Sequence, residues 1–506
     1  MNPSSSFFPL LLSRGVKRRG VPFIQEILPH FLWKFVRMAE SNKIKTTHNK
    51  FYATYLSWSL REVTGSCHQI IIKDAQSNPH QYLIDCGMFQ GRRYADEPNF
   101  EDFHFDPKMI EVVFITHAHA DHTGRLPKLI KAGFTGPIYC VHPTRPLTRI
   151  ILEDSYHIMK ENARRDGEPL LYDEEDVAQV FEQMHMVNYH ETLELAPGIS
   201  FMFHDAGHIL GSAYLSIEAE GKRVVFSGDL GNNDVPILPE TEDLSQADVV
   251  ICESTYGDSL HEDPKDRTAI LRDLIEQTVR NQSVLLIPTF SIERTQEVLY
   301  EMDQILLHDL KTTVPIFLDS PMAIRATEIY RHYQNYLRFE ADILSEPDKD
   351  FFSFPNLQET LTRDESKVIN DRPAPKIIIA GSGMMSGGRI MHHLQRYLPD
   401  EKTQLLIIGY QAMGTLGRRL YEGAKQVRVY GQEVEVQASV KAVGAFSSHA
   451  DQNKLTKWLT PKESDVPKKI ILVHGESAVQ EVFATHLRYH LHTEVVIPEM
   501  FQGVEV

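Results

Sequence analysis

Three histidines and an aspartate, His117, His119, Asp121 and His122, stand within six residues in Thr116-His117-Ala118-His119-Ala120-Asp121-His122-Thr123-Gly124. Imidazole nitrogen and carboxylate oxygen are ligands that zinc prefers, and four such groups from one segment exceed what a single tetrahedral ion takes. The spacing therefore points to two metal ions.

The elements around the segment must aim these groups. Residues 111–115 form an apolar, β-branched run that reads as a buried strand, and 125–131 reads as the opening of a helix. Side chains alternate along extended chain, so His117 and His119 leave on one side, with Asp121 and His122 at the turn into the helix. The same design of apolar run followed by polar residues recurs. Residues 199–203 lead to His208, 224–226 to Asp229, 249–252 to Glu253, 442–446 to His449, and 469–473 to His474. Loops at one edge of a rigid sheet gather groups distant in sequence. His208 would then complete a set begun by His117 and His119, and Asp229 has two oxygens with which to bridge two ions. Earlier strands are expected at 60–67, 68–73 and 81–86, with Asp85 either a turn residue or a carboxylate that orients a metal ligand.

Between these corners, residues 259–435 alternate strand and helix on their own. Strands are expected at 283–288, 314–318, 376–380 and 405–409, helices at 290–305 and 325–339, and mostly loop with a short central helix over 345–372. Such alternation implies a mostly parallel sheet with helices on its faces. Ligand corners resume afterwards, so the first domain is expected to be discontinuous: a basic extension (1–53), a first part (54–258), an insert (259–435) and a C-terminal part (436–506).

The chain has 506 residues, 42% of them hydrophobic, and no apolar run approaches the length needed to span a bilayer. Four separated cysteines, with no Cys-x-x-Cys pair, suggest reduced thiols in a cytoplasmic protein. The net charge of -17 is the wrong sign for holding nucleic acid by charge alone, although a cleft with two cations and a few arginines can be locally positive. Residues 1–50 hold nine Lys or Arg against two acids. A transit peptide with an amphipathic helix at 23–36 and, less well, a secretory signal compete with the expected reading, a disordered extension, with the choice of Met38 as initiator left open.

His-x-His-x-Asp-His behind a strand resembles the signature of the metallo-β-lactamase fold, a family of mostly zinc-dependent hydrolases, and residues 62–67 and 83–91 resemble its opening strands. With the insert, Glu253, His449 and His474, the chain over about 55–506 resembles the β-CASP branch, which includes the endonuclease of pre-mRNA 3′-end cleavage and stand-alone bacterial and archaeal ribonucleases. The resemblance implies an αββα sandwich carrying an inserted α/β domain. It implies one zinc ion on His117, His119 and His208, a second on Asp121, His122 and His474, and Asp229 shared, with a hydroxide between them as nucleophile. Asp121, Glu253 and His449 are the implied catalytic residues, His449 as general acid oriented by Glu253. Histidine at 474 is typical of RNA-acting members.

RNA is the implied substrate, cut to 5′-phosphate and 3′-hydroxyl ends. Internal cutting is expected, with 5′-3′ exonucleolytic cutting, hydrolysis of DNA or a small ester, a non-catalytic scaffold, and a homodimer left open. In the insert, the glycine-rich stretch 380–389 follows a strand and precedes a helix, where backbone N–H groups could hold phosphate, or form a plain turn. It contains Ser382, Gly383, Gly387 and Arg389. This stretch, 289–294 with Arg294, and 319–322 with Ser320 resemble family motifs at the cleft. Arg294 and Arg389 are the expected phosphate contacts, with structural ion pairs as their alternative. Nothing before residue 55 resembles a KH module, and fewer than forty residues follow His474. The nearest match is therefore a compact bacterial-type ribonuclease.

Overall fold

Runs rich in Val, Ile and Phe whose side chains alternate between two faces build two sheets in the computed structural model, which describes residues 53–57, 64–74, 76–90, 97–263, 266–338, 350–462, 465–499 and 502–506. The expectations for residues 1–50 lie outside the described residues. The first sheet contains β1 (Ala53–Ser57), β2 (His68–Lys73), β3 (Pro79–Ile84), β4 (Val112–Phe114), β5 (Ile138–Val141) and β6 (Met184–Val187), with β22 (Val504–Glu505) beside β1. The second contains β7 (Leu193–Ala196), β8 (Ile199–Asp205), β9 (Ala213–Ala219), β10 (Lys222–Phe226), β11 (Val249–Glu253), β20 (Lys469–Val473) and β21 (Glu494–Val496), in the order β21-β20-β11-β10-β9-β8-β7.

Alternation decides the layers. Ile70, Ile72, Tyr82 and Phe114 of the first sheet meet Phe201, Phe203, Leu215 and Phe226 of the second in one core. The neighbours of Phe114 in sequence, Val113 and Ile115, face the other way, onto Leu126, Leu152 and Phe181 of helices Leu126–Lys131, Thr144–Asp166 and Glu174–Gln183. Val250 and Cys252 likewise face Leu455, Trp458 and Phe483 of helices Gln452–Leu459 and Ser477–Leu491. The result is an αββα sandwich.

A third sheet contains β12 (Val284–Pro288), β13 (Ile316–Leu318), β14 (Leu357–Glu359), β15 (Lys376–Ala380), β16 (Gln404–Ile407) and β19 (Ser439–Ala442), in the order β14-β13-β15-β12-β16-β19 with every pairing parallel. Helices Asp266–Arg280, Arg294–Gln304 and Pro321–His332 cover one face and Ile390–Tyr397 the other. A separate hairpin pairs β17 (Gln426–Val429) with β18 (Gln432–Glu435).

Several expectations are corrected. Residues 64–67 are not a strand: Gly65 adopts a left-handed φ of 83°, and Ser66 donates its N–H to the Asp121 carbonyl at 2.8 Å. Residues 64–67 thus serve instead as a clasp under the histidine motif. The helix expected over 290–305 starts at Arg294, after Glu293 with φ 69°. The one expected over 325–339 starts earlier, at Pro321, because proline suits a first helical turn and the Ser320 hydroxyl caps it. The helix placed in the middle of 345–372 lies at its end, Arg363–Asp371, where Thr362 and Glu365 form a capping box. Strand β19 pairs with β16, so the insert's sheet runs past residue 435 to Ala442. Residues 444–446 form a 3-10 turn, so the corner before His449 hangs from the insert's edge strand.

Candidate metal centre

Strands β10, β11 and β20 run parallel, so their C-terminal ends share one sheet edge and deliver Asp229, Glu253 and His474 there. His208 follows β8, and the 117–122 motif follows β4 in the facing sheet. Two glycines permit the approach. A Cβ at Gly87 would lie 1.5 Å from the Asp121 carbonyl oxygen, and one at Gly231 would lie 1.8 Å from that of Gly207. Any side chain at either position would displace backbone that carries a candidate ligand.

Two donor sets result. His117, His119, His208 and Asp229 form one, and Asp121, His122 and His474 the other, with donor atoms in each set within 4.8 Å of one another. His119 Nδ1 lies 3.1 Å from His117 Nε2 and 3.3 Å from His208 Nε2. In the second set, His474 Nε2 is 3.3 Å from His122 Nε2 and 3.6 Å from an Asp121 oxygen. Asp229 stands between them. Its Oδ2 faces His117 and His208 Nε2 at 3.5 and 3.7 Å, and its Oδ1 faces His122 Nε2 and His474 Nδ1 at 3.4 and 3.6 Å.

Whether these groups fit metal ions is decided by their protons. His208 Nδ1 donates to the Ser448 carbonyl at 3.2 Å, and His122 Nδ1 faces the Asp85 carboxylate at 2.7 Å, so both rings hold that hydrogen outward. The Thr116 hydroxyl gives its proton to Asp85 and must accept from His117 Nδ1 at 3.1 Å. The Thr255 hydroxyl gives its proton to the His474 carbonyl and accepts from His474 Nδ1 at 3.1 Å. Four Nε2 atoms are therefore turned inward, as ligand histidines hold them, to present lone pairs once any proton on them is released. Lone pairs this close repel unless a cation lies among them, and Asp229 Oδ1 is buried without a hydrogen-bond donor. The donor set fits divalent metal.

Electrostatics agree. Burial holds His117 and His208 well below the usual imidazole value and His119 at about 4, so these rings are neutral ligands. Burial alone would depress His122 too, but Asp229 and Asp85 outweigh it and raise this group well above its usual value. Metal binding would release that proton. Asp85, expected to orient a ligand, bonds His122, the Thr116 N–H and the Thr116 hydroxyl.

His449 joins the centre. Its Nδ1 lies 3.3 Å from Glu253 Oε2 and 4.0 Å from Asp229 Oδ2, and its ring centroid is 4.6 Å from that of His208. Glu253 is fully buried and accepts the Leu230 N–H at 2.6 Å. Burial opposes protonation of His449, yet Glu253, together with Asp229 and Asp121, outweighs it and raises its pKa.

The expected phosphate contacts fare differently. Arg294 is 3% exposed with Nη1 on the Glu297 carboxylate, so it is a buried ion pair rather than a cleft cation. Arg389 donates to Asp319 at 2.7 Å and to the Thr360 and Leu361 carbonyls, which commits it to the insert's own packing. Ser320 caps its helix, and the Ser382 hydroxyl bonds within its own loop, to Gly387 O and Ser386 N. A Cβ at Gly383 would meet Phe290 at 2.7 Å, whereas Gly387 borders open space. Sequence reasoning missed Thr116, Thr255 and Ser448. The two threonines lie inside the motif stretches and could have been found as hydroxyls beside a ligand; Ser448 acts through its carbonyl, which leaves no mark on residue type.

Comparisons with known proteins follow this architecture. The metallo-beta-lactamase superfamily matches residues 76–286, the Beta-Casp domain 295–420, and the Zn-dependent metallo-hydrolase RNA specificity domain 433–498. The chain is 38% identical over 417 residues to Ribonuclease TTHA0252 of Thermus thermophilus, covering 82% of this chain and 91% of that protein. It is 34% identical over 442 residues to the RNase J-like protein of Methanocaldococcus jannaschii, covering 86% and 96%. It is 31% identical over 459 residues to the transcription termination factor FttA of the same archaeon, covering 88% and 70%. The crystal structure of an Enterococcus faecalis protein of unknown function superposes with a TM-score of 0.51 at 12% identity, covering 90% of this chain and 100% of that one; this likeness bears on the fold alone.

Proposed function

This chain belongs to the β-CASP branch of the metallo-β-lactamase superfamily, and on that premise we propose that it is a two-zinc ribonuclease that cuts within RNA and leaves 5′-phosphate and 3′-hydroxyl ends. The observation that carries the reading is Asp229, whose two oxygens face two separate donor sets with the Glu253–His449 pair alongside. RNA as substrate is supported by the names of the relatives, a ribonuclease and an RNase J-like protein, and by the RNA specificity domain match. Zinc is the metal favoured by a set of imidazoles and carboxylates.

When bound, the paired cations supply a nucleophile at neutral pH and offset charge that builds on the attacked phosphate. The chain's own part is to hold the donors. Ser448, Asp85, Thr116 and Thr255 keep four imidazole lone pairs turned inward. His449, its Nδ1–H on Glu253, keeps its other nitrogen for proton donation to the leaving 3′-oxygen, a poor leaving group without a proton.

The test uses uniformly labelled RNA with chelator-treated protein and the same protein refilled with zinc. Internal fragments with 5′-phosphate ends, only after refilling and with two zinc ions per chain, are expected. Mononucleotides released progressively from the 5′ end would overturn the internal mode, and cleavage by the metal-free protein would overturn the mechanism.

A further inference from the structure

Outside the catalytic cleft, the imidazoles of His190 and His204 and the carboxylate of Glu242 bring donor atoms within 4.8 Å of one another. Three different segments supply them, and all are tied to rungs of strand β8. His190 donates its N–H to the Phe203 carbonyl at 2.9 Å, His204 lies on the strand itself, and the Glu242 N–H bonds the Asp205 carbonyl at 3.0 Å. The Asp205 N–H in turn holds Glu242 Oε1 at 3.2 Å.

Ser216 Oγ lies 3.1 Å from His204 Nε2 and 3.4 Å from the Met202 carbonyl oxygen. On the other edge of the ring, Nδ1 faces Glu242 Oε2 at 3.7 Å. Stacking on Tyr214, with centroids 4.5 Å apart and planes at 8°, fixes the ring in that orientation. On the other side, His190 Nε2 stands 2.9 and 2.8 Å from the two Glu242 oxygens. Ligands of a tetrahedral zinc ion, at the usual bond lengths of 2.0–2.2 Å, sit roughly 3.3 Å from one another, inside this range of separations.

We propose that His190, His204 and Glu242 form a further metal site, one that takes a single zinc-class divalent cation and leaves a coordination position open to solvent. The His190 side chain is 59% exposed, which supplies the open position. The ion would staple the loop before β11 to the strand that leads to His208. The same loop packs on Gly207, where a Cβ would lie 2.8 Å from the Pro239 carbonyl oxygen, and Thr241 Oγ1 bonds the Ala206 carbonyl at 2.9 Å. Loss of the ion should therefore loosen the approach to the catalytic centre without removing a ligand from it.

The experiment is zinc titration of the full chain after chelation, with anomalous diffraction at the zinc edge from crystals soaked in zinc alone. A difference peak among the three side chains is expected, together with one more zinc ion per chain in the wild type than in His190→Ala or Glu242→Gln. His190 is exposed, so its alanine variant should fold, and a conservative His190→Asp should regain the ion. An ordinary protonated histidine paired with Glu242 gives the opposite outcome: no peak at zinc concentrations that fill the His117–His474 centre, and equal zinc content in wild type and His190→Ala. Either result overturns the site.

Discussion

His449→Ala separates proton donation from metal binding. The structure allows a clean deletion. The His449 ring lies beside His208 but makes its hydrogen bond to Glu253, and its backbone bridges Gly231 through groups that alanine retains. Glu253 keeps the Leu230 N–H at 2.6 Å and the Thr255 N–H at 3.4 Å, so no buried carboxylate is stranded. Zinc content and melting temperature should stay close to wild type. Loss of a general acid costs about 10²–10⁴ in rate, and at ~1.4 kcal/mol per factor of ten this is about 3–5 kcal/mol of transition-state stabilisation. The assay compares ordinary RNA with a substrate whose leaving 3′-oxygen is sulfur, which departs with little protonation. The variant should lose at least about a hundredfold on the first and much less on the second. Equal losses on both substrates, or a loss of zinc, would refute the acid role.

Glu253→Gln should move the alkaline limb of the kcat/KM profile to lower pH. The acid must be protonated, and the nearest of the carboxylates that raise His449 is gone; an unmoved limb would disconnect the pair. Asp85→Asn should lower zinc affinity about 10–100-fold, because the amide no longer holds the His122 proton outward as the carboxylate does at 2.7 Å, and competition with a chelator measures it. Arg389→Ala should destabilise the protein by about 2 kcal/mol through its lost bonds to Asp319, Thr360 and Leu361, visible as a lower melting temperature, with RNA and a small phosphodiester affected alike. A selective loss on RNA at unchanged melting temperature would return Arg389 to the substrate path.

The strand runs, the alternation that marks the insert and the candidate ligand corners can be read from the chain because each rests on local information, whereas the αββα sandwich is implied by the family resemblance. Whether a run forms a strand shows in its composition, and whether a corner can hold metal shows in the residue types that follow, as at His117–His122 and at Asp229 after β10. What needed the tertiary structure depends on partners distant in sequence. Strand β19 looks like the start of a lactamase corner, but a strand's sheet is chosen by the neighbour it pairs with, and β19 pairs with β16. Arg294 and Arg389 are cations in the sequence; only packing committed one to Glu297 and the other to Asp319, because a buried guanidinium must be paired. The approach of His449 to Asp229 across more than two hundred residues, and the inward turn of four imidazole lone pairs, likewise arise from folding. A proton's position follows from the acceptor that lies opposite, and residue spacing does not name that acceptor.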